Sequence, residues 1–223
     1  QPIACPLCGP QVKLLKSKTR KEIEGGIQKA ISLIKQGKIL AVKGLGGFHL
    51  VCDALNPKAV QSLRKIKARN TKPLALMARN LDVIRKYARL GPEEKAALLS
   101  PRRPIVLLKK KNDLQGIAPH LDEIGFMLPY TPLHLLLLRG IELMVATSSN
   151  RRDAPIMKEE EEGIDDLCGY ILTHNRPIHM RADDSVMKMV DGRPLFVRRA
   201  RGYVPYPQPV PKSLESPHHI LAL

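Results

Sequence analysis

The stretch KILAVKGLGGFHLVCDALNP, residues 38–57, predicts a strand, then a loop, then the start of a helix. The apolar run before Lys43 predicts a buried strand, because continuous aliphatic residues bounded by glycines suit a strand covered on both faces. A glycine-rich loop follows, and Asn56 and Pro57 are typical of a helix N-cap and first residue. This succession of strand, loop and helix indicates an α/β fold.

The same alternation continues on both sides of this stretch. Apolar residues at helical spacing predict one helix over Ile23–Ile34 and another from Asn56 to Ile66. Further strands are predicted in KPLALMAR, RRPIVLLKKK, IELMVATSSN and GYILTH, further helices at Asn80, Gly91-Pro92, TPLHLLLL and KEEEEGIDDL, and a β-hairpin in DSVMKMVDGRPLFVRR that turns at Asp191-Gly192.

The pattern divides the chain into three parts. Residues 17–204 are predicted to form an α/β domain with a twisted mixed sheet flanked by helices. A cysteine-bearing segment, 1–16, precedes it, and a proline-rich linker, 205–223, follows it. The chain begins with Gln1, which favours an excised fragment of a longer protein.

The amino-acid composition limits the classes of molecule that this chain is expected to bind. Lys and Arg number 37 against 21 Asp and Glu, a formal net charge of +16, which attracts nucleic acids, nucleotides or acidic proteins. A thermophile-like surface is the alternative explanation. The absence of Trp leaves few rings for stacking single-stranded bases. Apolar runs such as Leu135–Leu138 are far shorter than the roughly 20 residues that span a bilayer, so no membrane contact is predicted.

The cysteines indicate a reducing compartment. Cys5 and Cys8 form a Cys-x-x-Cys-Gly half of a zinc site, which needs two more ligands. Cys52 and Cys168 are too distant to supply them with assurance, so the other pair is expected upstream; incidental thiols are the alternative. Four scattered cysteines do not make a disulfide framework, which favours the cytoplasm.

Three polar clusters suit phosphate chemistry. In RKIKARNTKPLALM the cations lead directly into a predicted strand, where they could meet a polyphosphate; a solvated charged face is the alternative. VATSSNRRDAP offers hydroxyl and amide donors after a strand, although the same residue types also make ordinary turns. In RADDSV the two aspartates could hold Mg²⁺ or orient a base, and the arginines of FVRRARGYVP could return to the same place. A glycosidase pair is disfavoured, because adjacent side chains on a strand point to opposite faces.

Together, KGLGGFHLVCDALN, KARNTKPLALM, ATSSNRRDAPI, THNRPIHMRADDSV and RRARGYVP resemble the YrdC-like domain of the HypF family, the carbamoyltransferases of hydrogenase maturation. The resemblance covers residues 1 to about 206, and CPLCGP looks like the end of that family's zinc-finger segment. It implies a YrdC-like fold with a basic nucleotide-binding cavity, and a linker to an absent downstream domain.

The resemblance also implies an activity. In that family carbamate and ATP give carbamoyl-adenylate and pyrophosphate, and the carbamoyl group later reaches the partner HypE for the cyanide ligands of NiFe hydrogenase. The implied cofactors are ATP and Mg²⁺, with Zn²⁺ at the N-terminal segment if its other ligands were present. The expected catalytic residues are Lys43, Lys67 and Arg69; the expected nucleotide-binding residues are Lys72, Pro73, Thr147, Ser149, Asn150, Asp184, Ser185, Arg198, Arg199 and Arg201; and the expected substrate loop includes Gly46, Gly47 and His49.

The glycine loop decides between related activities. Threonylcarbamoyl-adenylate synthases carry a threonine-rich sequence where this chain has KGLGG, and bare glycines leave room for backbone contact with something smaller. Lys43 is expected to pair with carbamate, and Cys52 to pack behind the loop. Modification of tRNA by threonylcarbamoyl transfer, a double-stranded-RNA-binding module and an interaction scaffold remain the alternatives.

Overall fold

The computed structural model describes residues 5, 8–69, 71–151, 154–159 and 163–207. The strands are β1 (Val12–Lys16), β2 (Leu40–Lys43), β3 (Phe48–Asp53), β4 (Leu76–Ala78), β5 (Ile105–Lys109), β6 (Glu123–Met127), β7 (Leu143–Ser148), β8 (Tyr170–His174), β9 (Val186–Val190) and β10 (Arg193–Arg198). The helices are α1 (Gly26–Lys35), α2 (Pro57–Ile66), α3 (Leu81–Tyr87), α4 (Pro92–Leu99) and α5 (Pro132–Gly140), with a 3-10 turn at Ile164–Asp166.

Within these residues the strands form a 10-stranded sheet in the order β1-β8-β2-β3-β7-β4-β6-β5-β9-β10. The pairs β2–β8, β4–β6 and β5–β9 are parallel, and the remaining neighbours are antiparallel. The predicted α/β class with a mixed sheet flanked by helices is confirmed.

Helices cover the two faces of the sheet unequally. Alternate residues of a strand point to opposite faces, so Ala41 of β2 joins the core under α2, α3 and α4, whereas Leu40 and Val42 join the core under α1 and α5. Helices α1 and α5 pack on each other and on the first part of their face. The rest of that face, over β6, β5 and β9, opens into a cavity.

The local signals proved reliable. The side-chain oxygen of Asn56 accepts hydrogen bonds from the amides of Lys58 and Ala59 at 3.1 and 3.2 Å, which caps α2 as predicted. Asn80 and Thr131 cap α3 and α5 in the same way. The β9–β10 hairpin turns at Asp191 and Gly192, both with positive φ, as a two-residue hairpin loop requires.

Two predicted segments differ from the structure. Residues 48–53, predicted to continue the glycine loop, form the buried strand β3; five of its six residues are buried, so the polar–apolar alternation that marks a half-buried strand is missing. KEEEEGIDDL was expected to be a helix. Its described residues hold only the 3-10 turn, because Gly163 adopts a left-handed φ of 83° that stops a longer helix.

Strands β1 and β6 were not anticipated. Strand β1 pairs with β8 from Val12↔His174 to Lys16↔Tyr170, so the sheet includes residues assigned to the preceding cysteine segment. Of the predicted linker 205–223, residues 208–223 lie outside the described part of the chain.

Candidate functional site

A cavity of about 270 Å³ occupies the sheet face beyond α5. Its floor consists of small residues: Ala75, Gly125 and Ala146. A Cβ at Gly125 would lie 2.9 Å from Cγ2 of Ile105, closer than normal packing allows, so glycine keeps the floor flat. The apolar walls come from Leu74, Ile105, Leu107, Val186 and Val197.

Polar residues from four distant parts of the chain complete the lining. Seven of the residues that the sequence singled out line the cavity: the polar residues His49, Arg69, Lys72, Thr147, Asp184 and Arg198, together with Pro73. Nη1 of Arg69 donates to Oγ1 of Thr147 at 3.2 Å, which joins the charged loop before β4 to the end of β7. Lys72 and Arg198 are exposed at the rim. The cavity therefore combines a flat apolar floor with cationic groups at its edge.

Lys67 lies beside this lining and not in it. Its ammonium donates to the carbonyl oxygens of Ser148, at 2.9 Å, and Asn150, and to Oδ1 of Asn150 at 2.6 Å. Burial, together with the nearby charges of Arg69 and Lys72, lowers the pKa of Lys67 to about 8. The amine expected to be catalytic thus holds the segment 148–150 in place.

Ser149 and Asn150 also make contacts that fix the segment 148–150. Ser149 is fully buried, and its backbone bonds to Phe48 and Met157 on either side. The amide nitrogen of Asn150 donates to the carbonyl of Ala154 at 2.7 Å, while its oxygen accepts from Lys67 and from the Ser148 hydroxyl. Ser148 belongs to the predicted donor turn but was not among the expected nucleotide-binding residues, and it is the residue of the segment 148–150 that lines the cavity.

A buried ionic network forms one end of the cavity. Oδ2 of Asp184 lies 2.9 Å from Nε2 of His49. Oδ1 of Asp184 accepts from Nε of Arg201 at 2.9 Å and lies 2.8 Å from Nη2 of the same guanidinium. Burial alone would raise the pKa of Asp184, but His49 and Arg201 together hold it well below its usual range. The Arg201 guanidinium also lies 3.7 Å from the Tyr130 ring centre, a cation–π contact. Burial lowers the pKa of the nearby His134 to about 3. Arg201, expected at a phosphate, is neutralised by Asp184.

Ser185 and Arg199 fix the chain after β10. The Ser185 hydroxyl accepts from the amide of Ala200 at 2.8 Å and donates to the carbonyl of Arg201 at 2.9 Å. Arg199 donates to the carbonyls of Tyr203 and Tyr206. These contacts hold the segment that follows Arg198, and neither residue lines the cavity.

The glycine loop is filled by the protein itself. A Cβ at Gly46 would clash with the carbonyl oxygen of Ala182, and one at Gly47 would lie 2.5 Å from Cγ1 of Ile156. The room that these glycines leave, expected for a small substrate, is taken up by those two neighbours. Lys43 is buried and donates to the carbonyl of His174 at 3.1 Å.

Cys52 is buried behind this loop on β3, in the packing role expected of it. Burial raises the pKa of its thiol to about 12, so at neutral pH it carries no nucleophilic thiolate.

The described residues provide no further ligands for the predicted zinc half-site or for the predicted Mg²⁺ site. Cys5 is partly buried and Cys8 is exposed. Across the described ranges, no three His, Cys, Asp or Glu side chains converge in a way that could hold a metal ion. The zinc half-site and the Mg²⁺ site stay predictions. Within the same ranges, none of the helices has the length and apolar character needed to cross a bilayer.

Comparison with known proteins gives consistent results. The family model for Sua5, YciO and YrdC, described as telomere recombination, matches residues 32–200. The carbamoyltransferase HypF of Rhodobacter capsulatus is 45% identical over 228 residues, which cover 100% of this chain and 30% of the relative. The chain therefore spans less than a third of the length of that relative.

Solved structures agree with the sequence comparison. Full-length HypF, crystallised in a phosphate- and nucleotide-bound form, matches with a TM-score of 0.86 and 44% identity over 92% of this chain and 28% of that one. P. abyssi Sua5 in complex with L-threonine matches with a TM-score of 0.68 and 20% identity over 78% and 54% of the two chains, which supports the fold alone. The chain thus belongs to the Sua5–YciO–YrdC family, and it is similar over its whole length to one part of the HypF carbamoyltransferases.

Proposed function

We propose that this chain is the adenylate-forming part of a HypF-type carbamoyltransferase, joining carbamate to the α-phosphorus of ATP with release of pyrophosphate. The observation that carries the proposal is the cavity, in which a flat apolar floor adjoins the cations Arg69, Lys72 and Arg198. A nucleobase is planar and largely apolar on its faces, and a triphosphate needs cations close by. The HypF relative crystallised with phosphate and nucleotide supports the same assignment.

The residues suit an attack by an anion. Carbamate is already a charged nucleophile, so no general base is required; one carbamate oxygen bonds to the α-phosphorus as the bond to pyrophosphate breaks. The obstacle is repulsion between two anions and the charge that develops at phosphorus, which fixed cations reduce. Arg69, Lys72 and Arg198 would supply that charge. Mg²⁺ bound with the nucleotide would add to it, and Asp183 is the carboxylate in the described lining that suits it, since Asp184 is occupied by Arg201 and His49.

The remaining steps belong to a longer protein. Carbamate would be delivered from another domain, and the carbamoyl-adenylate would be consumed in carbamoyl transfer to HypE. Because carbamate can be supplied from ammonium and bicarbonate, the step proposed for this chain can be tested separately.

Exchange of labelled pyrophosphate into ATP is the direct test. We expect exchange when ammonium and bicarbonate are supplied together, and none with either alone, because carbamate forms only from both. Exchange that requires threonine with bicarbonate would instead show a threonylcarbamoyl-adenylate synthase. Absence of both exchange and ATP-dependent thermal stabilisation would overturn the proposal.

The formal charge of +16 also suits double-stranded RNA, which is the second candidate. An RNA-binding module would bind duplex RNA with steep salt dependence and would be indifferent to ATP. The adenylation proposal expects ATP with magnesium to stabilise the fold in the absence of RNA. Thermal unfolding with each ligand separates the two functions.

Raising the pH from about 7 to about 9 is expected to weaken ATP binding about two- to fivefold. Since the pKa of Lys67 is lowered to about 8, its amine is charged below that pH and neutral above it. Deprotonation removes a positive charge beside Arg69 and one of the donors that hold the segment 148–150. Calorimetric titration of ATP at both pH values measures the change, and Lys67→Met should lose the dependence. A wild-type affinity that is equal at both values contradicts the prediction.

A further inference from the structure

We propose that Arg64 is a positioning residue that sets the shape of the cationic loop, defined as residues 67–69 and 71–74. Arg64 lies in the last turn of α2, behind the cavity and outside its lining. Its guanidinium donates from Nε to the carbonyl of Gly116, from Nη1 to that of Arg69 at 2.9 Å, and from Nη2 to that of Ile117 at 3.1 Å. The guanidinium therefore joins the cationic loop to a second loop, in which Gly116 and Ile117 lie 52 and 53 residues after Arg64.

Arg64 holds the backbone of Arg69 from both sides. The amide of Arg69 donates to the carbonyl of Arg64 at 3.0 Å, and the carbonyl of Arg69 accepts from the Arg64 side chain. Between them Ala68 has a φ of +47°, a left-handed conformation that is strained for a residue with a Cβ. The chain reverses there because the Arg64–Arg69 contacts compensate the strain, and this reversal aims the Arg69 side chain at Thr147.

The same guanidinium reaches the other end of the cationic loop. The Ile117 carbonyl that Arg64 contacts also accepts from the amide of Leu74 at 2.9 Å, and Leu74 is a wall of the cavity. Gly116 has a φ of +75°, and a Cβ there would lie 3.1 Å from Cγ1 of Val60, so this turn packs closely on α2. Lys72 and Pro73, which line the cavity, lie between the two anchored points.

Arginine is needed because the contacts spread over three carbonyl groups, those of Arg69, Gly116 and Ile117. Guanidinium offers five N–H donors in a rigid fork, whereas a lysine amine offers a single point. Arg64→Lys therefore keeps the charge and loses the connection between the loops. A positioning role and a purely electrostatic role of Arg64 therefore predict different results for Arg64→Lys.

The test compares Arg64→Lys and Arg64→Ala with Lys65→Ala, an exposed cation of the same helical turn. Hydrogen exchange at the Leu74 amide is measured without ligand, and amides of the central strand β3 report global opening. We expect both Arg64 variants to speed exchange at Leu74 more than in β3, and to weaken binding of ATP with magnesium about fivefold. Lys65→Ala should match the wild type in local exchange.

Two outcomes overturn the proposal. If Arg64→Lys matches the wild type in both measurements, only the charge of Arg64 matters. If exchange at Leu74 and in β3 rises equally, Arg64 contributes general stability. The binding part of the test rests on the proposed function, whereas the exchange part does not. A wild-type chain that fails to bind ATP would therefore reject the function and leave the exchange result to decide on Arg64.

Discussion

Replacing Asp184 with Ala is expected to lower the free energy of unfolding by about 3–5 kcal/mol, because it leaves a buried cation unpaired. Both Asp184 and Arg201 are largely buried, with side-chain exposures of 8% and 12%. Among the described residues, the partners that would remain to Arg201 are neutral: the carbonyls of Arg102 and Arg103 and the ring of Tyr130. Equilibrium unfolding in urea, followed by far-ultraviolet circular dichroism, measures the change.

The adjacent Asp183→Ala is the matched control. Asp183 is half-exposed and lies 3.9 Å from Arg198, so its loss should cost less than about 1 kcal/mol. The pH dependence provides a second check. Since the pKa of Asp184 is held below the ordinary 3.8, its stabilisation is present above that pH and is lost as the pH falls below it. Equal losses in the two variants at neutral pH would show that the network does not stabilise the fold.

Replacing Arg69 with Ala is expected to weaken binding of ATP about 10- to 100-fold, the loss of one charge-assisted contact to phosphate. Burial, with Arg198 and Arg64 nearby, lowers the pKa of Arg69, so this guanidinium stands among like charges. An anion in the cavity relieves that repulsion, which makes the site favourable for a polyphosphate. Calorimetric titration of ATP with magnesium measures the effect.

Arg85→Ala is the control for total charge. Arg85 is exposed on α3, on the other face of the sheet, and pairs with Asp82. Its removal should leave ATP affinity unchanged at moderate salt. The unliganded Arg69→Ala chain should be at least as stable as the wild type, because repulsion among cations is reduced. If the Arg69 and Arg85 variants lose affinity equally, the cavity is not the phosphate site.

Much of the fold was predictable because its signals are local. Caps at Asn56, Asn80 and Thr131 need only a few neighbouring residues, and the turn at Asp191-Gly192 needs only two positive φ angles. Strand β1 was missed because one fully buried residue, Leu14, lies among lysines, and its partner β8 is far away in sequence. A pattern that depends on a distant partner is weak in a single segment.

The site was predictable as a set of residues and not as a set of contacts. The sequence identified Lys67 as a cation, but its partners are carbonyl oxygens 81 and 83 residues away. It also identified Gly46 and Gly47 as positions without side chains, but the space beside them belongs to Ala182 and Ile156. In the sequence, the apolar wall residues Leu107 and Val197 resemble ordinary core residues. The folded sheet is needed to show that they line a cavity.

The last turn of α2 links two sides of the cavity mechanically. Arg64 fastens one side and Lys67 the other, both through main-chain oxygens. Movement of either side would therefore displace the end of α2 and, through it, the opposite side of the cavity. We therefore expect any closure of the cavity around a bound molecule to move both sides together, because both are attached to the end of α2.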